Sequence, residues 1–342
     1  MDQGKRYIEL DVIKGIGILL MTLGHIGIGG AYSLYTRAFN MPMFFVISGY
    51  LFNSVTYNTE GSKVEKICKG VRKYYCKLMY PYFLWSIILN VIYILICLIE
   101  KETIRWETVI HSFWRNNVTD MPFTGPLWFL SALFFVTCIH IVAVTLISEK
   151  MRICVPLLMM GMTLFISDQK TGLPYSIDSA IMAYAFFYLG NVSGEKKAID
   201  KINNYLREGG VTLYGVFIIF FAINFVSIWK NDGINVRTVT YGDSLLSMYG
   251  NGIIATILYY CIARFLVKKW THLVQVLTDI GKDSMIYMVF NSVAVLLSKR
   301  LMPFLGVNAI TKLISLCVVL AFLKLLCIFF HKRKLMALFG RS

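Results

Sequence analysis

The side chains best suited to chemistry in this sequence lie inside an apolar run, where ionisable groups are least expected. The stretch IELDVIKGIGILLMTLGHIG, residues 8–27, carries Asp11, Lys14 and His25. A helix turns about 100° and rises about 1.5 Å per residue, so the steps from Lys14 to His25 make three turns plus roughly 20°. The two share a face, about 16 Å apart along the axis. Asp11 falls one turn before Lys14 on that face, with Ile18 and Thr22 beside it. Such a stripe allows His25 to act as a general base and Lys14 to hold a polar or anionic group. The plainer reading makes Lys14 a snorkelling side chain or a local partner of Asp11, and His25 a hydrogen-bonded interior imidazole. Their alignment favours function, because ionisable groups inside a membrane are costly and face interiors or watery cavities. Asp11, about 21 Å from His25, is too far to orient the imidazole and is expected to pair with Lys14.

Four further stretches could contribute. In FNMPMFFVISGYLF, residues 39–52, Met41-Pro42 marks a break or helix start, and Ser48-Gly49 admits close backbone approach, the ordinary packing role of small residues. Lys63, Lys66, Lys69, Arg72, Lys73 and Lys77 form a dense basic segment ahead of LMYPYFLW. It suits anionic lipid headgroups or, more sharply, a phosphate clamp. Trp128 in GPLWFLSALFF, residues 125–135, fits an interfacial aromatic belt. In IGKDSMIYMVFN, residues 280–291, Asp283 is the expected helix cap. Asn291 falls in the following apolar run, where a buried amide needs a partner and commonly glues helices together.

The elements that must position these groups are transmembrane helices. Of 342 residues, 57% are hydrophobic, more than a soluble domain of ordinary composition holds. Windows of about 20 apolar residues place ten spans at about 8–29, 38–57, 78–99, 126–148, 152–167, 177–194, 211–229, 243–266, 284–302 and 310–330. The fold expected is an all-α bundle, one domain over 1–342, with both termini cytoplasmic. On that topology Lys and Arg favour the cytoplasmic side by about two to one. Orientation therefore accounts for the net charge of +15 without nucleic acid. The eight cysteines show no CxxC pair and no metal-ligand spacing with histidine, so packing is their expected role and no metal site is expected. The first run is interrupted by Asp11 and Lys14 and lacks a small-residue cleavage site, so it reads as a retained helix.

Taken in order, these segments resemble acyltransferase family 3, integral-membrane O-acyltransferases that modify bacterial surface glycans and some small molecules. The likeness rests on Leu10-Asp11 with Lys14 and His25, on Met41–Tyr50, on the basic run into Arg72–Tyr82, on Pro126–Leu130, and on Gly281, Ser284, Tyr287 and Asn291. It spans nearly the whole chain and is closest to short, fucose 4-O-acetylase-like members without an esterase-like domain. Two departures stand out. Tyr74 occupies the place of one of two arginines, so Lys73 or Arg72 would take that role beside Lys77, and Asn291 stands where a histidine is common.

The resemblance implies acyl-CoA, most simply acetyl-CoA, as a cytoplasmic donor substrate rather than a bound cofactor. Arg72, Lys73 and Lys77 would meet its phosphates, and Lys14 a phosphate or the mouth of the pantetheine path. Catalysis would fall to His25 with Lys14, by base-assisted attack of an acceptor hydroxyl or through an acyl-histidine. Asp11, Ser48, Trp128, Tyr287 and Asn291 would support the site or the substrate. The acceptor would be a surface polysaccharide or its lipid-linked precursor, in the bacterial plasma (inner) membrane, in contact with membrane lipid and compatible with a homo-oligomer. The alternatives are a transporter or flippase of a lipid-linked sugar and a non-catalytic lipid-binding scaffold. The lack of internal repeats speaks against the first.

Overall fold

The computed structural model describes residues 7–52, 61–115, 123–167, 172–208, 212–301 and 308–340. Among them are fourteen α-helices: α1 (Ile8–Ile26), α2 (Ala31–Tyr50), α3 (Lys63–Tyr74), α4 (Tyr80–Glu100), α5 (Trp106–His111), α6 (Trp128–Leu146), α7 (Cys154–Ile166), α8 (Ile177–Glu195), α9 (Ala198–Glu208), α10 (Thr212–Lys230), α11 (Leu245–Lys269), α12 (Thr271–Lys282), α13 (Ser284–Leu301) and α14 (Ala309–Lys332). The protein is all-helical apart from a single β-bridge, Asn235 with Thr240, among the described residues. Each of the ten apolar runs coincides with a helix. Four helical stretches are long and apolar enough to cross a bilayer: Lys63–Glu100, Gly125–Leu146, Leu245–Lys269 and Ile310–Lys332. Counting α12 and α13, bent by 84° at Asp283, as one broken span makes five. By contrast, α1 is long enough but carries Glu9, Asp11 and Lys14, and α7, with 13 residues, is short for a span of about 20.

The structure departs from the sequence reading at one place and adds to it at two. The second apolar run, 38–57, is corrected: α2 begins at Ala31 and holds Pro42 in its interior. The polar residues at its start do not stop it, because Thr36 donates to the Tyr32 carbonyl (2.9 Å) and Arg37 Nε to the Ser33 carbonyl (3.2 Å), both on the helix itself. Residues 53–57 of that run lie outside the described residues. The basic segment is α3, a helix of its own, started by a reciprocal capping box between Ser62 and Glu65. It continues through a π-helical turn, Tyr75–Met79, into α4. Pro81 has no N–H to offer the Lys77 carbonyl, and the Tyr80 N–H reaches back to Tyr75 instead, which widens the turn. The third is α12, a helix the sequence reading did not place, which ends at Lys282, so that α13 starts at Ser284 just after Asp283, as expected. The chain breaks at Asp283, whose carbonyl accepts from Ile286 and Tyr287 as α13 starts.

The chain forms two compact units. The first comprises Met1–Ile47, Lys196–Ile234 and Gly242–Ile328; the second comprises Ser48–Glu195, Asn235–Tyr241 and Phe329–Ser342. In the first, α1 packs against α11, α12 and α13. Its crossing with α12 is a backbone contact: a Cβ on Gly15 would overlap the Leu277 carbonyl, and one on Gly281 the Asp11 carbonyl. In the second, α6 packs on α3 and α8, and α7 on α8. The end of α2 meets α8 in the same way, Gly49 against the Phe187 carbonyl and Gly194 against the Tyr50 carbonyl. The short C-terminal turn Met336–Phe339 closes on α4, where the Trp85 indole donates to the Leu338 carbonyl (3.0 Å) and stacks on Phe339 (4.8 Å).

Candidate functional site

In the first unit the site residues gather along α1. The expected Asp11–Lys14 ion pair is present at 2.7 Å, with Asp11 buried and Lys14 half-buried. The pair cancels much of the charge that an anion would meet at Lys14. The start of α1 is further fixed by Glu9, which takes a 2.6 Å ion pair from Arg264 of α11, and by the Tyr7 hydroxyl, 3.3 Å from Asp200 of α9. Higher on the helix, the buried Thr22 hydroxyl donates to the Ile18 carbonyl (2.9 Å) and accepts from Asn291 Nδ2 (2.7 Å). Asn291 thus ties α13 to α1, and Tyr287, one turn before it, is buried on the same helix. Asn40 of α2 donates from Nδ2 to the Gly17 carbonyl (3.0 Å).

His25 lies in the last turn of α1 and is exposed. The helix ends there because Gly27 adopts a left-handed cap (φ 101°), with its N–H and that of Ile28 closing on Gly24 and Leu23 carbonyls. The polar stripe therefore runs from the Asp11–Lys14 pair to a solvent-exposed imidazole in the last turn. That imidazole can take a proton from a hydroxyl that approaches it.

In the second unit Arg72, Lys73 and Lys77 are all exposed along α3 and the π turn. The Lys73 and Lys77 ammoniums lie 6.0 and 5.9 Å from the centre of the Tyr74 ring. The Tyr74 ring thus lies at the edge of cation–π reach of both ammoniums. Tyr74 in turn stacks on Phe52 (6.0 Å, 22°). Ser48 is half-buried beside the Gly49 contact. Trp128, expected in an interfacial belt, is buried at the start of α6, its carbonyl accepting from Ser131 (3.0 Å).

These features match a known pattern over nearly their full extent. The family model described as "Acyltransferase domain" matches residues 7–331. The chain belongs to the acyltransferase 3 family. Among curated proteins and among solved structures, none matches it. Membership makes the protein an acyltransferase, and its apolar helices make it membrane-embedded.

This acyltransferase 3 protein also holds polar residues that sequence reasoning did not single out. His140 of α6 is buried, its Nδ1 3.3 Å from the Tyr184 hydroxyl and its Nε2 3.1 Å from Asn191 Oδ1. Asn191 spends its amide nitrogen on the Phe52 carbonyl (3.4 Å), so the tautomer protonated at Nε2 satisfies every partner. This network anchors the residues just after α2 to α6 and α8. Arg237, in the loop before α11, sits with its guanidinium 3.4 Å from where a Cβ on Gly125 would lie. Burial lowers its pKa to about 10, which leaves it a cation at neutral pH. The partners in both clusters are 44 or more residues apart, beyond the reach of helical periodicity.

Proposed function

We propose that the protein is a membrane O-acetyltransferase that moves an acetyl group from cytoplasmic acetyl-CoA to a hydroxyl of a surface polysaccharide or its lipid-linked precursor. What supports the reading is the α1 stripe within a chain of this family: Asp11 paired to Lys14 at 2.7 Å, and His25 exposed in the last turn of the helix. His25 accepts the proton of the acceptor hydroxyl. The oxygen attacks the thioester carbonyl, and the CoA thiolate leaves with the proton returned by the imidazolium. Lys73 and Lys77, gathered on Tyr74, with Arg72 beside them, bind the donor's phosphates. Lys14, already balanced by Asp11, suits the pantetheine amides better than a phosphate.

A transporter of a lipid-linked sugar has one observation in its favour, the 84° break between α12 and α13, since broken helices form transporter sites. One experiment separates the two. Membranes holding equal amounts of wild type, His25→Ala and Lys14→Ala receive labelled acetyl-CoA, and the surface glycan is then weighed by mass spectrometry. Acetyl mass with wild type alone supports the transferase. Equal labelling by His25→Ala removes the imidazole from the mechanism, and no labelling by any of the three, with glycan export impaired, points to transport.

A further inference from the structure

Within the first unit, α10 and α11 enclose an open groove of about 590 Å³. One wall is apolar: Ile223 and Val226 of α10 are 58% and 52% exposed. The other end is polar, formed by Ser227, Lys230, Asp243 and Ser247. Beneath it a hydrogen-bonded ladder runs inward. Ser227 and Ser247 hydroxyls lie 3.4 Å apart, and Asn251 donates to Ser247 Oγ (3.1 Å). Asn224 donates to the Asn251 carbonyl (3.1 Å), and the Tyr35 hydroxyl to Asn224 Oδ1 (3.4 Å). Asn224 and Asn251 are buried. Unpaired amides among apolar helices are costly, and this ladder pairs them while holding both serines fixed at the groove floor. At the rim, Asn231 locks the loop by accepting from the Ser244 N–H (2.8 Å) and donating to the Ser244 carbonyl (3.1 Å).

We infer that this groove binds the sugar head of an amphipathic, lipid-carried acceptor, its apolar chain lying along Ile223 and Val226. The inference rests on the acetyltransferase reading and adds a place for the acceptor. The lining separates an apolar wall from a hydroxyl-rich end, which matches a chain joined to a polyol. Lys230 and Asp243 both line the polar end, and they suit a polyol head: a carboxylate accepts from sugar hydroxyls, and an ammonium donates to them.

The test uses the full-length protein in phosphatidylcholine nanodiscs and an alkyl glucoside with a diazirine in its chain. Crosslinked peptides are mapped by mass spectrometry. The expected result is saturable labelling within residues 222–247, weakened about tenfold by Asp243→Asn and by Ser247→Leu. A phosphocholine with the same photoreactive chain should label the region without saturating. Labelling that is equal for both heads, or indifferent to both substitutions, overturns the inference, and Asp243→Asn, at an exposed loop position, keeps the test valid if Ser247→Leu does not fold. Saturable, variant-sensitive labelling by a protein that transfers no acetyl group keeps the groove and removes the transferase. Acetyl transfer with an acceptor KM unchanged by Asp243→Asn does the reverse.

Discussion

At the scale of single residues, the two cations on Tyr74 and the imidazole at the end of α1 are open to different tests. Lys73 and Lys77 are exposed and lie about equally far from one ring, so reversing their charge should disturb donor binding while the fold persists. Acetyl-CoA should raise the melting temperature of the purified wild type, and Lys73→Glu with Lys77→Glu should remove that rise while leaving the ligand-free temperature nearly unchanged. A rise that survives the double reversal would place the phosphates elsewhere. His25→Ala should lower the rate by a factor of about 10² to 10⁴, the range general-base catalysis contributes, with unaltered protein level because the residue is exposed. Thr22 is different in kind. It is buried and accepts the 2.7 Å bond from Asn291, so Thr22→Val strands a buried amide at a cost of about 1–3 kcal/mol. The variant should melt earlier, and acetyl transfer per folded molecule should stay within about twofold; a selective loss of rate would instead give Asn291 a part in the chemistry. The Asp11–Lys14 pair was legible because three residues is one helical turn. The Asn291–Thr22 bond was legible only as the need of a buried amide for some partner, since nothing in a single sequence names a residue 269 positions away.

At the scale of elements, glycine decides which helices meet. Gly15 and Gly281 face the carbonyls of Leu277 and Asp11, and neither has room for a methyl group. Gly24, on the same helix as Gly15, has nothing within 4 Å of its Cβ position. Gly281→Ala should therefore force α12 off the segment of α1 that carries Asp11 and Lys14. The expected loss is about 1–3 kcal/mol, as for other overpacked contacts. Gly24→Ala should be neutral or stabilising by up to about 1 kcal/mol, from helix propensity alone. Comparing the two by thermal unfolding in detergent tests the crossing, and equal stability of both variants would deny it. The Ser48-Gly49 approach could be read from sequence as a small-residue contact, but its partner in α8 could not. Apart from the six-residue α5, the helices that sequence reading passed over, α3, α9 and α12, share a physical reason. Each is 11 or 12 residues long and amphipathic, with charges that break any window of 20 apolar residues. Two of them matter to the site, since α3 carries the cations and α12 packs on α1.

At the scale of the whole molecule, the all-helical, apolar character was legible because hydrocarbon thickness imposes a length that composition alone reveals. The broken helix at Asp283 was not, because Gly281-Lys282-Asp283 reads equally well as the start of one helix or the end of another. Four helical stretches, or five with the bent pair, meet the requirement for spanning outright among the described residues, whereas the sequence reading expects ten. These two counts differ in what they place on each side of the membrane. With ten spans and cytoplasmic termini, α3 and the loop between α10 and α11 lie on opposite faces. Cys68 of α3 is exposed, and Asp232 in that loop is exposed as well. In a background without other cysteines, Cys68 should react with a membrane-impermeant maleimide only in inside-out vesicles, and Asp232→Cys only in intact, right-side-out cells. Labelling of both from one side would remove the ten-span topology. It would also put the cations proposed to receive the donor and the groove proposed for the acceptor on a common face, so that no acetyl group would need to cross. Labelling from opposite sides requires that the transferred group pass from cytoplasmic donor to acceptor within the membrane. A helix bearing a polar stripe, with the Asp11–Lys14 pair at its start and His25 exposed in its last turn, is suited to that passage.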